Sequence, residues 1–408
     1  MNTVFTPYKL GNITLRNRTV RSAAFENMCR NYSPSQELYD YHTAVAKGGI
    51  GMTTVAYVSV NRSGVSFDGQ MWMRKEIIPE LKKLTASIHA EGAKASIQLG
   101  HCGNMTHRRT AGQMPVGASG GFNLYSPTFC RALTREEIKQ TVIDFGEAVE
   151  MAREADFDAV EIHAGHGYLI SQFLSPYTNH RKDEYGGTLQ NRMRFMTEVL
   201  QQVIKAAEGK IAVIVKTNMY DGFRKGMKLP DCITVAKRIE ELKVDAIVLS
   251  AGFVSKAPMV VMRGAMPLKT LAYYMDMRKY WWLKAMIRLF GRIIIPTVPF
   301  KEKYFLEDAK KFRAELKLPL IYVGGLTSRK AIEEVLESGF ELVQMARVLV
   351  NDTDFVNKMR AADMEYKSGC KHSNYCIGRM YSKNMQCHHC IESLPKKIEI
   401  EIKKMEKR

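Results

Sequence analysis

Phe157-Asp-Ala-Val-Glu-Ile-His163 runs straight into Ala164-Gly-His-Gly-Tyr-Leu-Ile-Ser-Gln-Phe-Leu-Ser-Pro176. The first half reads as a short strand, nearly continuous in apolar residues, as expected when both faces of a parallel strand are covered. The second half carries His166 and Tyr168 in the turn after the strand. Similar β-branched runs occur at 19–24, 50–60, 94–100, 211–217, 244–250, 320–325 and 342–350, with helix-like stretches between them. After Leu133, Thr134-Arg-Glu-Glu137 is a capping-box start, and Ile138, Val142, Phe145 and Val149 then share one face. Thr327 and Ser328 open another helix, 329–338, which Gly339 closes. Eight strands alternating with helices, with no Gly-x-Gly-x-x-Gly after the first strand, predict a (β/α)8 TIM barrel rather than an open doubly wound sheet.

Two stretches exceed a minimal barrel. Residues 101–133, rich in Gly, Thr and Arg, read as a long loop after the third strand. Residues 253–310 separate strands six and seven and read as a helical insertion beside the barrel mouth, a possible lid, carrying Tyr273, Tyr274, Met277, Trp281, Trp282, Leu283, Arg288 and Arg292. The expected organisation is a barrel over 1–365 that includes this insertion, then a Cys-rich turn and charged, amphipathic tail over 366–408.

The 408 residues carry 60 Lys and Arg against 42 Asp and Glu, a net charge of +18. That charge is spread along the chain and no basic nucleic-acid motif is present, so nucleic acid is not the expected partner. Contact with a membrane surface stays open, because the insertion is basic and aromatic. The N-terminus lacks a signal-peptide pattern and no run reaches the ~18 apolar residues of a membrane span, so the expected location is the cytoplasm.

On the face where barrel enzymes place their catalytic groups, His163 and His166 can aim at one oxygen as an oxyanion-type pair. Tyr168 follows with a hydroxyl able to pass a proton to a neighbouring carbon. The bland alternatives are two strand-capping histidines or a two-histidine metal site. At the other end, Val323-Gly-Gly-Leu-Thr-Ser328 and Gln344-Met-Ala-Arg347 match the phosphate site that loops seven and eight of such barrels often form. Gly324 and Gly325 allow close backbone approach, and Arg347 offers a bidentate fork.

The stretch from His163 to Pro176 resembles the His-x-x-(Asn/His)-Gly-Tyr-Leu-x-x-Gln-Phe-Leu-Ser-Pro signature of the Old Yellow Enzyme family. Asn179-His-Arg-Lys-Asp-Glu-Tyr-Gly-Gly-Thr-Leu-Gln-Asn-Arg192 and Phe5-Thr-Pro-Tyr-Lys-Leu-Gly-Asn-Ile-Thr-Leu-Arg-Asn-Arg18 are similar to other stretches of that family. The resemblance runs in order from Phe5 to about Asp354, the 253–310 insertion apart. It implies FMN as cofactor and NADH or NADPH as hydride donor. The substrate it implies is a small-molecule unsaturated carbonyl compound whose C=C bond is reduced. It also implies that Ala23, Ala24 and Ala56 line the flavin ring, that Gln98 bonds its pyrimidine edge, and that Lys216 sets a cation near it. Gly324, Gly325, Ala346 and Arg347 would hold the phosphate. His163 and His166 would bind the carbonyl oxygen, and Tyr168 would supply the proton. The insertion suggests a bulky lipophilic enone such as a steroid.

Larger members such as the dienoyl-CoA reductases hold an iron–sulfur cluster with four cysteines near the end of the barrel. Here the candidates are Cys370, Cys376, Cys387 and Cys390, with Ser373 where the second ligand would fall. With the chain ending at Arg408, no electron-delivering second domain is expected. No metal is therefore assigned, and iron–sulfur or zinc remain open alternatives. Two rival readings also stand: an iron–sulfur-assisted dienoyl-CoA reductase or demethylase, and a basic barrel that only binds a membrane surface.

Overall fold

A computed structural model describes residues 3–123, 128–275 and 281–406, without the side chains of residues 282–284 and 288. Its centre is a closed parallel barrel of eight strands. They are β1 (Thr19–Arg21), β2 (Met52–Ser59), β3 (Lys94–Gly100), β4 (Ala159–Ala164), β5 (Ala212–Asn218), β6 (Ala246–Ser250), β7 (Leu320–Val323) and β8 (Leu342–Met345). The pairing of Val343 with Thr19 closes the barrel between β8 and β1. The surrounding helices are α1 (Gln36–Lys47), α2 (Ile78–Ala90), α3 (Arg135–Glu154), α4 (Leu189–Ala207), α5 (Leu229–Glu241), α6 (Leu306–Glu315), α7 (Arg329–Glu337) and α8 (Phe355–Ala361). The expected (β/α)8 barrel is therefore the observed fold. At α3, Thr134 Oγ1 accepts from Glu137 N while the Glu137 carboxylate accepts from Thr134 N, the capping box read from the sequence.

The period of two along each strand decides what faces the axis. In β4, Val160 and Ile162 point outward into the apolar layer shared with the helices. Ala159, Glu161 and His163 therefore share the inward face. By the same alternation β5 sends Val213 and Val215 outward and turns Ala212, Ile214 and Lys216 inward. The lower interior is filled by Val20, Met52, Ala159, Ile214, Val248 and Leu342. It is stoppered by Leu10, Ile13 and Leu15 of an antiparallel hairpin, Tyr8–Leu10 with Ile13–Leu15. With the bottom packed shut, polar inward residues accumulate at the carboxyl ends of the strands.

Three expectations need correction. The run 342–350 is not one strand: β8 stops at Met345, and Arg347–Asn351 is a short helix. Val348, Leu349 and Val350 are all buried, and a short apolar run buried all round has no periodicity to separate helix from strand. The run 19–24 is a strand only to Arg21, and the residues beyond it leave the ladder. The 101–133 stretch is not a bare loop. It holds a helix, Arg108–Ala111, and a small sheet of Val116–Gly117, Gly121–Asn123 and Thr128–Ala132. The 253–310 insertion is helical: Pro258–Met262, Leu268–Tyr274 and Trp281–Ile294 precede α6. Met277 and the side chains of Trp282, Leu283 and Arg288 lie outside the described residues. No described helix is long and apolar enough to cross a membrane.

Candidate active site

The site is built upward from Glu161, fully buried on the inward face of β4. Its Oε1 accepts from Gln98 Nε2 at 2.6 Å and lies 2.8 Å from Lys216 Nζ. Its Oε2 accepts from Gln344 Nε2 at 2.7 Å. Ser22 Oγ donates to Gln344 Oε1 at 3.0 Å, and Lys216 Nζ reaches Ser22 Oγ at 3.3 Å. One carboxylate thus sets the orientation of two amides and one ammonium drawn from β3, β5 and β8. Burial pushes the Lys216 ammonium below its ordinary range, against the pull of Glu161.

Above this floor stand three aromatic side chains from the end of β4. The ring of His163 is 4.5 Å from that of Tyr168 and 5.2 Å from that of His166. His166 has φ of +59° and is followed by Gly167 at +83°. A Cβ on Gly167 would lie 2.5 Å from the Phe253 ring, so glycine is required there sterically as well as conformationally. His166 N donates to Asn218 Oδ1 at 3.0 Å, and its Nε2 sits 2.7 Å from Ser250 Oγ. His163 Nδ1 is buried with no hydrogen-bond partner among the described residues. Buried polar atoms are rarely left so, which marks this wall as one completed by a bound molecule. Burial and the neighbouring His166 and Lys216 hold the His163 imidazole well below its usual range. Burial, then Lys216, lowers His166 to about 3. Burial raises the Tyr168 phenol, with Cys102 adding to it. All three side chains are therefore uncharged near neutrality.

The far end of the same cavity is positively charged. Gly324 (φ +142°) and Gly325 (φ +70°) leave β7, where a Cβ would meet Phe305 Cδ2 at 2.8 Å and Tyr304 Cδ1 at 2.7 Å. Arg347 Nη1 donates to Asn374 Oδ1 at 2.7 Å, and Asn374 Nδ2 donates to the carbonyls of Arg263 and Ala265. The Arg263 guanidinium lies 4.6 Å over the Tyr304 ring, its Nε without a hydrogen-bond partner among the described residues. A glycine pair that only backbone can fill, beside the Arg347 guanidinium, fits a phosphate. The polar floor and the small Ala23 and Ala24 fit a flat hydrogen-bonding ring. The residues present thus fit FMN, with Gln98 and Lys216 at the ring and Gly324, Gly325 and Arg347 at the phosphate.

Of the residues nominated from sequence, Ala23, Ala24, Gln98, His163, His166 and Tyr168 line this one cavity. So do Lys216, Gly324, Gly325, Ala346 and Arg347. Ala56 does not; it packs behind the wall with Tyr57, Cys102 and Met105, and Tyr57 takes the lining position. Of the four C-terminal cysteines only Cys376 reaches the cavity. Sequence reasoning assigned no role to Glu161, Ser22, Ser250, Arg263 or Asn374. The alternation along β4 held a signal for Glu161, a charged residue in an apolar strand. Ser250, Arg263 and Asn374 act across distant parts of the chain and carried none.

The sequence pattern of the NADH:flavin oxidoreductase / NADH oxidase family matches residues 3–288. The chain is 36% identical over 380 residues to a 4,4'-dithiodibutanoate disulfide reductase of Rhodococcus erythropolis, covering 93% of each chain. It is 30% identical over 379 residues to an NADPH dehydrogenase of Bacillus subtilis (strain 168), covering 90% of this chain and 98% of that one. Among solved structures, a 2-naphthoyl-CoA reductase complex superposes with a TM-score of 0.81 at 23% identity. That match covers 98% of this chain but 58% of the other, so this chain spans little more than half of that longer protein. Morphinone reductase superposes with a TM-score of 0.69 at 20% identity, over 90% of this chain and 92% of that one. At these identities the structural likeness speaks to the fold alone.

Proposed function

Since the chain belongs to the NADH:flavin oxidoreductase / NADH oxidase family, the Old Yellow Enzyme family of FMN-dependent, NAD(P)H-oxidising barrels, we propose that it reduces the C=C bond of α,β-unsaturated carbonyl compounds. The observation that carries this reading is the convergence of two neutral imidazoles and one protonated phenol on a single cavity wall. FMN held by Gln98, Lys216, Gly324, Gly325 and Arg347 would supply the two-electron hydride chemistry that links nicotinamide to the alkene.

The protein's own groups do the rest. His163 and His166 donate hydrogen bonds to the substrate carbonyl oxygen and so draw electron density from the β-carbon. One such oxyanion donor is worth roughly 10²–10³ in rate. Because both imidazoles stay neutral, they polarise the oxygen without protonating it. Ser250 fixes the ring of His166. Tyr168 keeps its proton until the α-carbon becomes basic, and then gives it up. Phe25 and Phe67, stacked at 4.6 Å, and Met380 and Met385 form an apolar rim that suits a bulky lipophilic enone, a steroid among them. The 253–310 insertion adds Val254, Val261, Met262 and Tyr304 to the wall and acts as a substrate-shaping cover.

A second acceptor class is an organic disulfide, favoured by the likeness to the Rhodococcus protein along 93% of both chains. Anaerobic reduction by NADH and by NADPH, followed by reoxidation with cyclohexenone, a steroid enone or 4,4'-dithiodibutanoate, tests both. Fast reoxidation by the enones supports the first reading. Reoxidation by the disulfide alone would replace it with the second.

The helix Trp281–Ile294 carries a further reading, contact with an anionic membrane surface. Trp281, Leu289 and Ile293 are 73%, 74% and 78% exposed. Residues 277–301 contain six Lys and Arg and no Asp or Glu. Apolar side chains facing solvent from a basic segment are what an interfacial helix presents to lipid.

A further inference from the structure

The C-terminal segment offers four thiols, but the donor atoms that converge among the described residues are a different set. Cys387 Sγ and one ring nitrogen each of His388 and His389 lie within 4.8 Å of one another. Cys387 Sγ is 3.9 Å from His388 Nδ1. With Zn–S about 2.3 Å and Zn–N about 2.0–2.1 Å, two ligands on tetrahedral zinc stand ~3.6 Å apart, close to that separation. The His388 and His389 rings lie 4.0 Å apart and tilted by 37°, a crowding that suits neutral imidazoles.

An independent observation points the same way. The other nitrogen of His388, Nε2, lies 2.8 Å from Glu406 Oε1 on the last turn of the helix Lys396–Glu406. Both atoms are sealed from water and have no hydrogen-bond partner among the described residues, and Glu406 Oε1 also lies 3.7 Å from His389 Nε2. A carboxylate beside one ring nitrogen keeps the proton there and leaves the other as a lone-pair donor. Metal-bound histidines almost always have such an outer partner.

We propose that Cys387, His388 and His389 bind one zinc-class divalent ion, with Glu406 orienting His388 and the fourth position open to solvent beside the exposed Cys390. The ion clamps the 387–390 turn to the C-terminal helix. That helix in turn holds the insertion, because Glu401 accepts from Lys269 N at 2.9 Å and Thr270 N at 2.8 Å at the start of Leu268–Tyr274. Tyr274 and Tyr375 share a hydrogen bond of 2.7 Å, and Tyr375–Arg379 brings Cys376 and Ile377 to the cavity wall.

The test uses the full-length, FMN-loaded protein. Elemental analysis should find one zinc per chain and no stoichiometric iron or acid-labile sulfide. Cys387→Ser, His388→Ala and His389→Ala should each lose the zinc, with bound-flavin absorbance as the check that the barrel is folded. Should those variants fail to fold, Glu406→Gln leaves the turn's donors in place and should weaken Zn2+ affinity by roughly 10–100-fold. Cys370→Ser should keep full zinc. A chelator should lower the melting temperature, and added Zn2+ should restore it. Iron with sulfide, a metal-free Cys387–Cys390 disulfide, or zinc that persists in both histidine variants would each overturn the assignment.

Discussion

Glu161 holds the floor of the site together, so its replacement is the most informative single change. Glu161→Gln keeps the shape but strips Lys216 of its counter-charge in a sealed environment. Breaking a buried pair from one side costs roughly 3–5 kcal/mol, so the denaturant midpoint should fall markedly and flavin should be held less tightly. A variant with unchanged midpoint and flavin affinity would show that the ion pair is incidental. Tyr168→Phe should leave flavin reduction by NAD(P)H untouched and slow reoxidation by enones by about 10²–10⁴, the usual worth of a positioned acid. Wild-type reoxidation in that variant would move the proton source elsewhere. The histidines make a pH prediction. The unfolded His166 titrates near 6.5 and the folded one near 3, so between these values the unfolded state binds more protons. Its contribution is complete above pH 6.5 and is lost as pH falls towards 3, at up to ~1.4 kcal/mol per pH unit for each such histidine. His163, also depressed, acts in the same direction. The melting temperature should therefore fall from pH 7 to 5, less steeply in His166→Asn, and identical slopes would contradict the burial argument.

At the scale of elements, the β4 turn places the chemistry. Gly167→Ala adds a Cβ in a left-handed conformation 2.5 Å from Phe253. The turn must shift, and with it His166 and Tyr168, so enone turnover should fall at least tenfold while flavin stays bound. Unchanged turnover would mean that the turn is softer than its geometry suggests. Trp281–Ile294 makes a different prediction. The wild-type protein should co-sediment with vesicles containing anionic lipid, less so at high salt, because exposed charges are screened within about 10 Å at 0.1 M. A Leu289→Ser, Ile293→Ser double variant should remain in the supernatant. Equal sedimentation of both proteins would remove the helix from any lipid contact, and a concentration-dependent dimer lost in the variant would identify a second copy of the chain as its partner.

At the scale of the whole molecule, the hairpin stopper and the packed lower barrel leave the cavity among the described residues at the carboxyl ends of the strands. FMN bound there stabilises the folded state through mass action, by ~2.7 kcal/mol when free ligand is 100 times its dissociation constant. Deflavinated protein should melt lower and recover with added FMN. Arg347→Ala should recover far less if, as proposed, the Arg347 guanidinium beside Gly324 and Gly325 meets the phosphate. Full recovery in that variant would shift phosphate binding to Arg263 and the backbone of Gly324 and Gly325.

The sequence by itself determined what is local or periodic. Apolar runs located the eight barrel strands though not the ends of β1 and β8, the Thr134–Glu137 box marked the start of α3, and the stretch from His163 to Tyr168 set three aromatic side chains on one cavity wall, because spacing along one strand and its turn dictates direction. It likewise exposed Gly324 and Gly325, whose conformations no other residue adopts cheaply. Only the tertiary structure decided the partnerships between segments far apart in the chain. Glu161 meets Lys216, Gln98 and Gln344 because a closed barrel points alternate residues of different strands at one axis. Asn374 steadies Arg347, Glu406 meets His388, and Ala56 gives up the wall to Tyr57, each because of how strands, loops and tail pack against one another. Composition and spacing carry no record of such distances. They arise when side chains from remote parts of the chain are forced into one volume and each buried polar group must find a partner there.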